Sequence, residues 1–182
     1  DAAQVARVVA EARTRGAIEG IIHGAGIEVA KPFAKKSEEV VRATVDAKVG
    51  GLVHLLRATR AEPITHVVAF SSVSGRFGGH GQTDYSLAND AMSRVIGAYR
   101  IKRPEVRAAA IAWPAWSEVG LAARSSAKAF LEQSGQAFMS PAEGANHFVR
   151  ELWSGLREPE ITISEKLEAL DLDRLLVSDP AA

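Results

Sequence analysis

The sequence contains no cysteine, which rules out a disulfide or a thiolate-bound zinc site. No apolar run reaches the roughly 18 residues that a membrane-spanning helix needs, and no signal peptide is visible. The absence of cysteine fits a reducing compartment, so we expect a cytoplasmic protein. We also expect no metal, because the histidines are scattered without metal-site spacing. These are His23, His54, His66, His80 and His147.

The sequence has no excess of charge of either sign. Lys plus Arg number 22 and Asp plus Glu number 22, so the formal net charge is zero. A neutral chain has no overall field to hold nucleic acid or an anionic membrane, and we expect neither as a partner. Hydrophobic residues make up 47% and charged residues 24% of the 182 residues, which is ordinary for one globular domain or most of one.

Short apolar runs alternate with helical patterns along the chain. Strands are predicted at 18–22, 65–70, 106–113 and 161–164, and helices at 1–16, 37–60, 84–100, 127–133 and 141–153. A polar, glycine-rich loop is predicted at 71–82. The strands are apolar throughout, as expected for strands that are covered on both faces. The pattern predicts an α/β fold with a doubly wound parallel sheet, which binds ligands at the carboxyl ends of its strands.

One lysine breaks the pattern of the second helix. Lys48 lies inside an apolar stripe, three residues after Val45 and four before Leu52. A lysine that faces inward is costly unless its ammonium finds partners. The alternative is that its long side chain carries the charge out to water.

Two pairs of polar residues lie at the ends of predicted elements. Tyr85 and Asn89 are four residues apart, so both point the same way at the start of a helix. An ordinary amphipathic helix with a wet end would also explain them. Ser71 and Ser72 end a strand, where serine is common for turn formation alone.

Together these groups suit the reduction of a carbonyl. Tyr85, Ser72 and Lys48 can converge at the carboxyl edge of the sheet. A hydride that adds to the carbonyl carbon leaves an alkoxide that needs a proton. Tyrosine has a pKa near 10, and a nearby ammonium lowers it, which favours general acid catalysis. A serine hydroxyl can hold the carbonyl oxygen and stabilise its developing charge.

The same residues resemble the short-chain dehydrogenase/reductase superfamily, and most closely its synthase ketoreductase branch. The run 70–75 resembles the serine segment of the family, and Tyr85 follows Ser72 by the usual thirteen residues. Asn89 stands where the Tyr-x-x-x-Lys motif has its lysine. In synthase ketoreductases Lys and Asn exchange places, and Lys48 lies in the corresponding motif at 46–51. This exchange accounts both for a lysine within an apolar stripe, at Lys48, and for an asparagine at the lysine position of the motif, at Asn89.

The resemblance also implies a cofactor site. The run 22–26 resembles the turn beside the cofactor ribose, 113–116 resembles the Trp-Gly-Pro-Trp segment beside the nicotinamide, and 117–140 corresponds to the substrate lid. The implied cofactor is NADPH. The implied cofactor-binding residues are His23, Gly24, Ala25, Gly26, Lys48, Tyr85, Pro114, Ala115 and Trp116.

The implied function is reduction of a β-ketoacyl thioester on an acyl carrier protein, within a polyketide or fatty-acid synthase. Tyr85 would donate the proton and Ser72 would orient the keto oxygen. Lys48 would lower the pKa of the tyrosine, and Asn89 would support the lysine or a proton-relay water. Residues 1–176 would form this catalytic portion and 177–182 a tail. The alternatives are a non-catalytic remnant in a synthase and a free-standing short-chain alcohol dehydrogenase.

The chain departs from the family in two respects. It has no Gly-x-Gly-x-x-Gly turn, and the first three of the seven expected strands are absent. We therefore expect an upstream N-terminal half of the ketoreductase, before Asp1, as a partner alongside other synthase domains. The stereochemical fingerprints are also missing: 27–30 replaces a Leu-Asp-Asp motif, and Phe77 stands at the position of a tryptophan. Product handedness is therefore left open.

Overall fold

Four parallel strands form the central sheet in this computed structural model, which describes residues 1–121 and 138–164. The strands lie in the order β1-β2-β3-β4, so neighbours in sequence are neighbours in space. Their bounds are β1 Gly20–His23, β2 His66–Ser72, β3 Arg107–Trp113 and β4 Glu160–Thr162. All four lie where the sequence predicted strands, which confirms the parallel α/β sheet.

Helices connect the strands and begin at recognisable capping residues. Asp1 accepts a hydrogen bond from the backbone of the first helix, Ser37 caps the second, and Ser140 forms a reciprocal capping box with Glu143. The helices are α1 Ala2–Arg13, α2 Glu38–Val45, α3 Gly51–Ala58, α4 Val73–Phe77, α5 Thr83–Lys102 and α6 Pro141–Ser154, with a 3₁₀ turn at Phe33–Lys35.

The core lies on both faces of the sheet, because successive side chains of a strand point to opposite sides. On one face, Val67 and Ala69 of β2 belong to a cluster with α3 and α5; on the other, Val68 belongs to a cluster with α6. The first cluster also includes Ile21, Leu52, Met92, Ile96, Ala108 and Ala110, and the second includes Ala109, Ile111, Trp113 and Leu156. The result is the layered, doubly wound arrangement that the sequence predicted.

Two segments between the strands differ from the structure that was predicted for them. The helix predicted at 37–60 is divided by a π-helical turn at Asp46–Gly50, between α2 and α3. The loop predicted at 71–82 contains the short helix α4, because the Ser72 side chain caps it by accepting from Ser74 N at 3.2 Å. Gly78 ends this helix with φ 78°, a left-handed conformation that suits glycine.

Several predictions fall outside the described residues: the helix at 127–133, most of the lid at 117–140, the boundary at 176 and the tail at 177–182. Within 1–121 and 138–164, no helix is both long enough and apolar enough to cross a bilayer.

Leu52 provides a test of the core. It is fully buried between α3 and the sheet, so Leu52→Ala should lower the free energy of unfolding by about 2–5 kcal/mol, measured by urea denaturation. Ile101→Ala is the control, because Ile101 is 83% exposed and its loss should change stability by at most about 0.5 kcal/mol. Equal effects in the two variants would contradict this packing.

Candidate active site

The predicted site residues meet at the carboxyl ends of the first three strands. β1 ends at His23, β2 at Ser72 and β3 at Trp113. The register places His23 beside Ala69 and Ser72 beside Trp113, so β2 and β3 extend beyond β1. This is the edge at which parallel α/β sheets bind their ligands.

Lys48 is buried at this edge. Only 3% of the residue is exposed, its Nζ donates to the Phe70 carbonyl at 2.9 Å, and the same atom lies 5.4 Å from the ring centroid of Tyr85. Burial lowers the pKa of Lys48 from 10.5 to about 8. The lysine therefore faces inward and does not carry its charge out to water. It lies in the π-helical turn, a distortion that often marks functional sites.

His23 supports the backbone of this lysine. Its Nε2 donates to the Lys48 carbonyl at 2.8 Å, since a carbonyl only accepts, and the ring is buried. Burial lowers the pKa of His23, the bond to the Lys48 carbonyl opposes this, and the charge of Lys48 lowers it further. The imidazole is therefore neutral at pH 7. This support was not predicted, because the sequence assigned His23 to the cofactor alone.

The turn at 24–26, which follows β1, comes close to the side chain of Lys48. A Cβ on Gly26 would lie 3.1 Å from Lys48 Cε, so a side chain there would push on the lysine. Gly24 and Ala25, which precede it, are exposed. The backbone of Gly26 can thus come close to Lys48 because this residue has no side chain.

Tyr85 lies in the first turns of α5 and is only partly exposed. Burial raises the pKa of its phenol, the neighbouring Asn89 and Ser72 side chains lower it, and the negative charge of Glu28 raises it. The net direction is upward, whereas the sequence analysis expected Lys48 to lower this pKa. The reason is burial of the phenol, which is the largest of the effects on this pKa. Tyr85 therefore keeps its proton at neutral pH.

The two serines at the end of β2 point to different places. Ser71 is buried, donates to the Asn89 carbonyl at 3.4 Å and accepts from the Ser93 hydroxyl at 3.4 Å, so it is used in packing α5. Ser72 is only partly buried and lies close enough to Tyr85 to affect the pKa of the phenol. This contrast supports Ser72 rather than Ser71 as the candidate hydroxyl, and that assignment stays a prediction.

Asn89 is fully buried beneath the site. Its Nδ2 donates to the Tyr85 carbonyl at 2.8 Å, while its Oδ1 has no hydrogen-bond partner among the described residues. A Cβ on Gly75 would lie 2.8 Å from the Asn89 Cβ, so α4 packs directly on this part of α5. The side chain thus fixes the turn that carries the phenol and keeps an acceptor for a further donor.

The last residue of β3 and the segment that follows it form an aromatic wall. Trp113 and Trp116 meet edge to face, with ring centroids 5.2 Å apart. Two hydrogen bonds tie Met139 to this wall: Met139 N donates to the Ala115 carbonyl and Ser117 N to the Met139 carbonyl, both at 2.9 Å. The two ends of the predicted lid are therefore joined beside Trp116.

Several charged and polar groups around the tyrosine were not predicted from the sequence. Asp84, which immediately precedes the tyrosine, forms a buried ion pair with Lys36, and Glu28 accepts from the Gln82 amide at 3.0 Å. None gave a signal, because an acid in the first turn of a helix and charged residues in a connection are ordinary. No cluster of His, Asp or Glu among residues 1–121 and 138–164 has a metal-binding arrangement.

The geometry fits one end of a nicotinamide dinucleotide. A buried ammonium, a phenol and a turn of small residues converge at one edge, with the Asn89 oxygen that has no partner among the described residues beneath them. These groups suit a ribose and its attached ring. The pyrophosphate end has no counterpart here, because the chain carries no Gly-x-Gly-x-x-Gly turn.

Comparison with known proteins identifies the family. A family model for the KR (ketoreductase) domain matches residues 1–118. The chain belongs to the KR domain family. The KR domain is 31% identical over 164 residues to a polyunsaturated fatty acid synthase of Thraustochytrium, a match that covers 89% of the chain. It spans 2% to 6% of the length of the first synthases it matches.

Solved structures agree with this assignment. A ketoreductase domain from the bacillaene assembly line is 28% identical, with a TM-score of 0.79 over 90% of the KR domain and 40% of that chain. A short-chain dehydrogenase/reductase from Brucella melitensis shares the fold at 19% identity, with a TM-score of 0.75 over 90% of this chain and 71% of its own. The KR domain therefore has the Rossmann-like fold of the short-chain dehydrogenase/reductase superfamily, whose members use a nicotinamide cofactor.

Burial of Lys48 should be visible in the pH dependence of stability. The folded state holds the lysine proton less tightly than the unfolded chain, so the penalty is complete below about pH 8 and disappears as the pH approaches 10.5. Relative to Lys48→Met, the wild-type KR domain should therefore gain on the order of 3 kcal/mol between pH 7 and 10.5, measured by urea denaturation.

Lys102→Met is the matched control, because Lys102 is exposed on α5 and its charge is hydrated in both states. Its stability relative to wild type should not change over the same pH range. If Lys48→Met behaved in the same way as Lys102→Met, the ammonium would not be buried.

Proposed function

We propose that this KR domain reduces a β-ketoacyl thioester carried on an acyl carrier protein to the β-hydroxyacyl product, with NADPH as reductant. The observation that carries the proposal is the buried ammonium of Lys48, 5.4 Å from the Tyr85 ring centroid at the carboxyl edge of the sheet. A charge that is costly to bury, placed beside a protonated phenol, suits proton donation to a developing alkoxide.

Each residue has a defined part in this proposal. A nicotinamide cofactor, when bound, would supply the hydride for the carbonyl carbon. Lys48, Tyr85, the turn at 24–26 and the segment at 114–116 would hold the ribose and the nicotinamide. We propose that an upstream half of the domain supplies a Gly-x-Gly-x-x-Gly turn for the pyrophosphate, since this chain has no such motif.

Proton transfer would begin from the phenol of Tyr85. Its raised pKa keeps the proton on the oxygen at neutral pH, and the alkoxide is the stronger base, so transfer is downhill. Lys48 would then stabilise the phenolate through its charge, an interaction that low-dielectric surroundings strengthen. Ser72 would donate to the keto oxygen and align it with Tyr85.

Asn89 would link the site to a proton source. Its Nδ2 already bonds the Tyr85 carbonyl, and its Oδ1 is a buried acceptor without a partner among the described residues. We propose that Oδ1 accepts from a water that returns protons towards Lys48. The amide would thereby hold the first turns of α5 and orient the water.

The choice of substrate rests on the matched proteins. The relatives are named as polyketide synthases and as part of a polyunsaturated fatty acid synthase. The substrate in keeping with those names is a carrier-bound β-ketoacyl group, and other synthase domains are the partners. The alternative of a non-catalytic remnant is less well supported, because a scaffold has no use for an ammonium buried at this edge.

Tyr85→Phe tests the proposal, with Tyr99→Phe as its matched control on the same helix. The assay uses the parent polypeptide, by which we mean the longer chain that includes the proposed upstream half. NADPH absorbance is followed with a β-ketoacyl thioester as substrate. Tyr85→Phe should lower the rate by about a hundredfold to ten-thousandfold, the contribution of a general acid. Tyr99→Phe should leave it unchanged, because Tyr99 packs against the core beneath α5.

The remaining outcomes separate the alternatives. A wild-type protein that binds NADPH without oxidising it would favour the non-catalytic remnant. Reduction of free ketones in preference to thioesters would favour an alcohol dehydrogenase. A Tyr85→Phe variant as fast as Tyr99→Phe would mean that another group donates the proton.

A further inference from the structure

A fully buried ion pair stands beside the site without a part in the chemistry described above. The Lys36 ammonium contacts the Asp84 carboxylate, and the two side chains are 1% and 0% exposed. In every other ion pair among the described residues, both side chains retain more contact with solvent. Burial of this kind requires each charge to be neutralised by its partner.

The pair joins separate parts of the chain. Lys36 Nζ also donates to the Val29 carbonyl at 2.6 Å, in the connection that follows β1. The Thr44 hydroxyl of α2 lies 3.2 Å from the second oxygen of Asp84. One carboxylate and one ammonium therefore fix the β1–α2 connection, α2 and the start of α5 relative to one another.

The start of α5 depends on such tertiary contacts. Its N-cap residue, Gln82, makes no side-chain capping bond. The Gln82 amide instead accepts from Ser74 at 2.7 Å and donates to Glu28 at 3.0 Å. Asp84 is anchored two residues further on, and the next residue is Tyr85, whose Cα is about 3.8 Å away. A displacement of Asp84 would therefore carry the phenol with it.

The pair influences the tyrosine by position. Neither Lys36 nor Asp84 is among the groups that shift the pKa of Tyr85, which fits a pair whose opposite charges cancel. A buried ion pair also gives little stability beyond that of an apolar pair of the same size. What it provides is strict geometry, because hydrogen-bonded charges tolerate less displacement than apolar contacts.

We propose that Lys36 and Asp84 form a positioning pair, which holds the Tyr85 phenol in its place relative to Lys48 and Ser72. The proposal rests on the proposed function, since it concerns the placement of the proton donor for that reaction. Neither residue touches the reacting atoms. Their effect on the reaction is transmitted through the first turn of α5.

The test compares steady-state kinetics of three variants of the parent polypeptide. Asp84→Asn should lower kcat by about tenfold to a hundredfold, the cost of misplacing a catalytic group by about 1 Å, with KM for NADPH and thioester changed by less than about threefold. Glu38→Gln is the matched control, because it breaks the exposed pair with Arg42 on α2 and should leave kcat unchanged.

The third variant, Lys36→Met/Asp84→Leu, separates positioning from stability. It removes both buried charges, so we expect Tm to recover relative to Asp84→Asn while kcat stays low. Recovery of kcat together with Tm would show that the pair only fills space, and wild-type kcat in Asp84→Asn would also overturn the proposal. Loss of the folded state in both variants would make the pair a folding requirement, and would overturn it as well.

A readout independent of activity distinguishes this proposal from the proposed function. The ¹³Cζ resonance of Tyr85, assigned by its loss in Tyr85→Phe, reports the surroundings of the phenol. Asp84→Asn should shift it, and Glu38→Gln should not. If the wild-type protein reduces no thioester, the proposed function fails and the resonance alone decides: an unshifted signal in Asp84→Asn overturns the positioning pair.

Discussion

The site is organised around the cost of burying one ammonium group. Lys48 loses its hydration at the carboxyl edge of the sheet, and the surrounding structure supplies what replaces water. The Phe70 carbonyl accepts from it, the Tyr85 ring lies beside it, and His23 holds the backbone that carries it. The π-helical turn at Asp46–Gly50 is the local distortion in which this lysine lies. Four elements of the fold, β1, β2, α5 and the π-helical turn, thus position or stabilise one ammonium group.

A second group of contacts determines where α5 begins. The helix has no side-chain cap, and its first turns carry the phenol, the buried amide of Asn89 and the carboxylate of Asp84. Bonds from α2, from the β1–α2 connection and from the β2–α5 connection replace the cap. The end of the helix that usually frays is therefore among its best-anchored parts, which suits the proton donor that we propose at Tyr85.

Much of the framework was predictable, because it depends on local pattern. The apolar runs that became β1 to β4 were visible, and so was Lys48 as a misplaced charge within an apolar stripe. The π-helical turn was not, because Val41, Val45, Leu52 and Leu55 recur at ordinary α-helical intervals across it. The pair of Lys36 and Asp84 joins residues 48 positions apart, which no local pattern records.

The electrostatics were harder to predict than the placement. The phenol of Tyr85 and the lysine were expected together, and they are together, but the direction of the tyrosine pKa depends on burial, which the sequence does not give. The neutral His23 beneath Lys48 was hidden for the same reason. The assignment of the cofactor-binding residues stays a prediction, because it concerns contacts with a molecule that the chain alone does not contain.

The junction of Trp116 and Met139 has a consequence for how such a domain diversifies. Two hydrogen bonds join Met139 to Ala115 and Ser117, so both ends of the intervening stretch of sequence are anchored beside the aromatic wall. The entropic cost of closing a loop grows only slowly, by about 0.6 kcal/mol for each doubling of its length. Insertions and exchanges within that stretch are therefore inexpensive and leave Tyr85 and Lys48 where they are. The length of that stretch can therefore change during evolution independently of the sheet edge that carries the phenol and the ammonium.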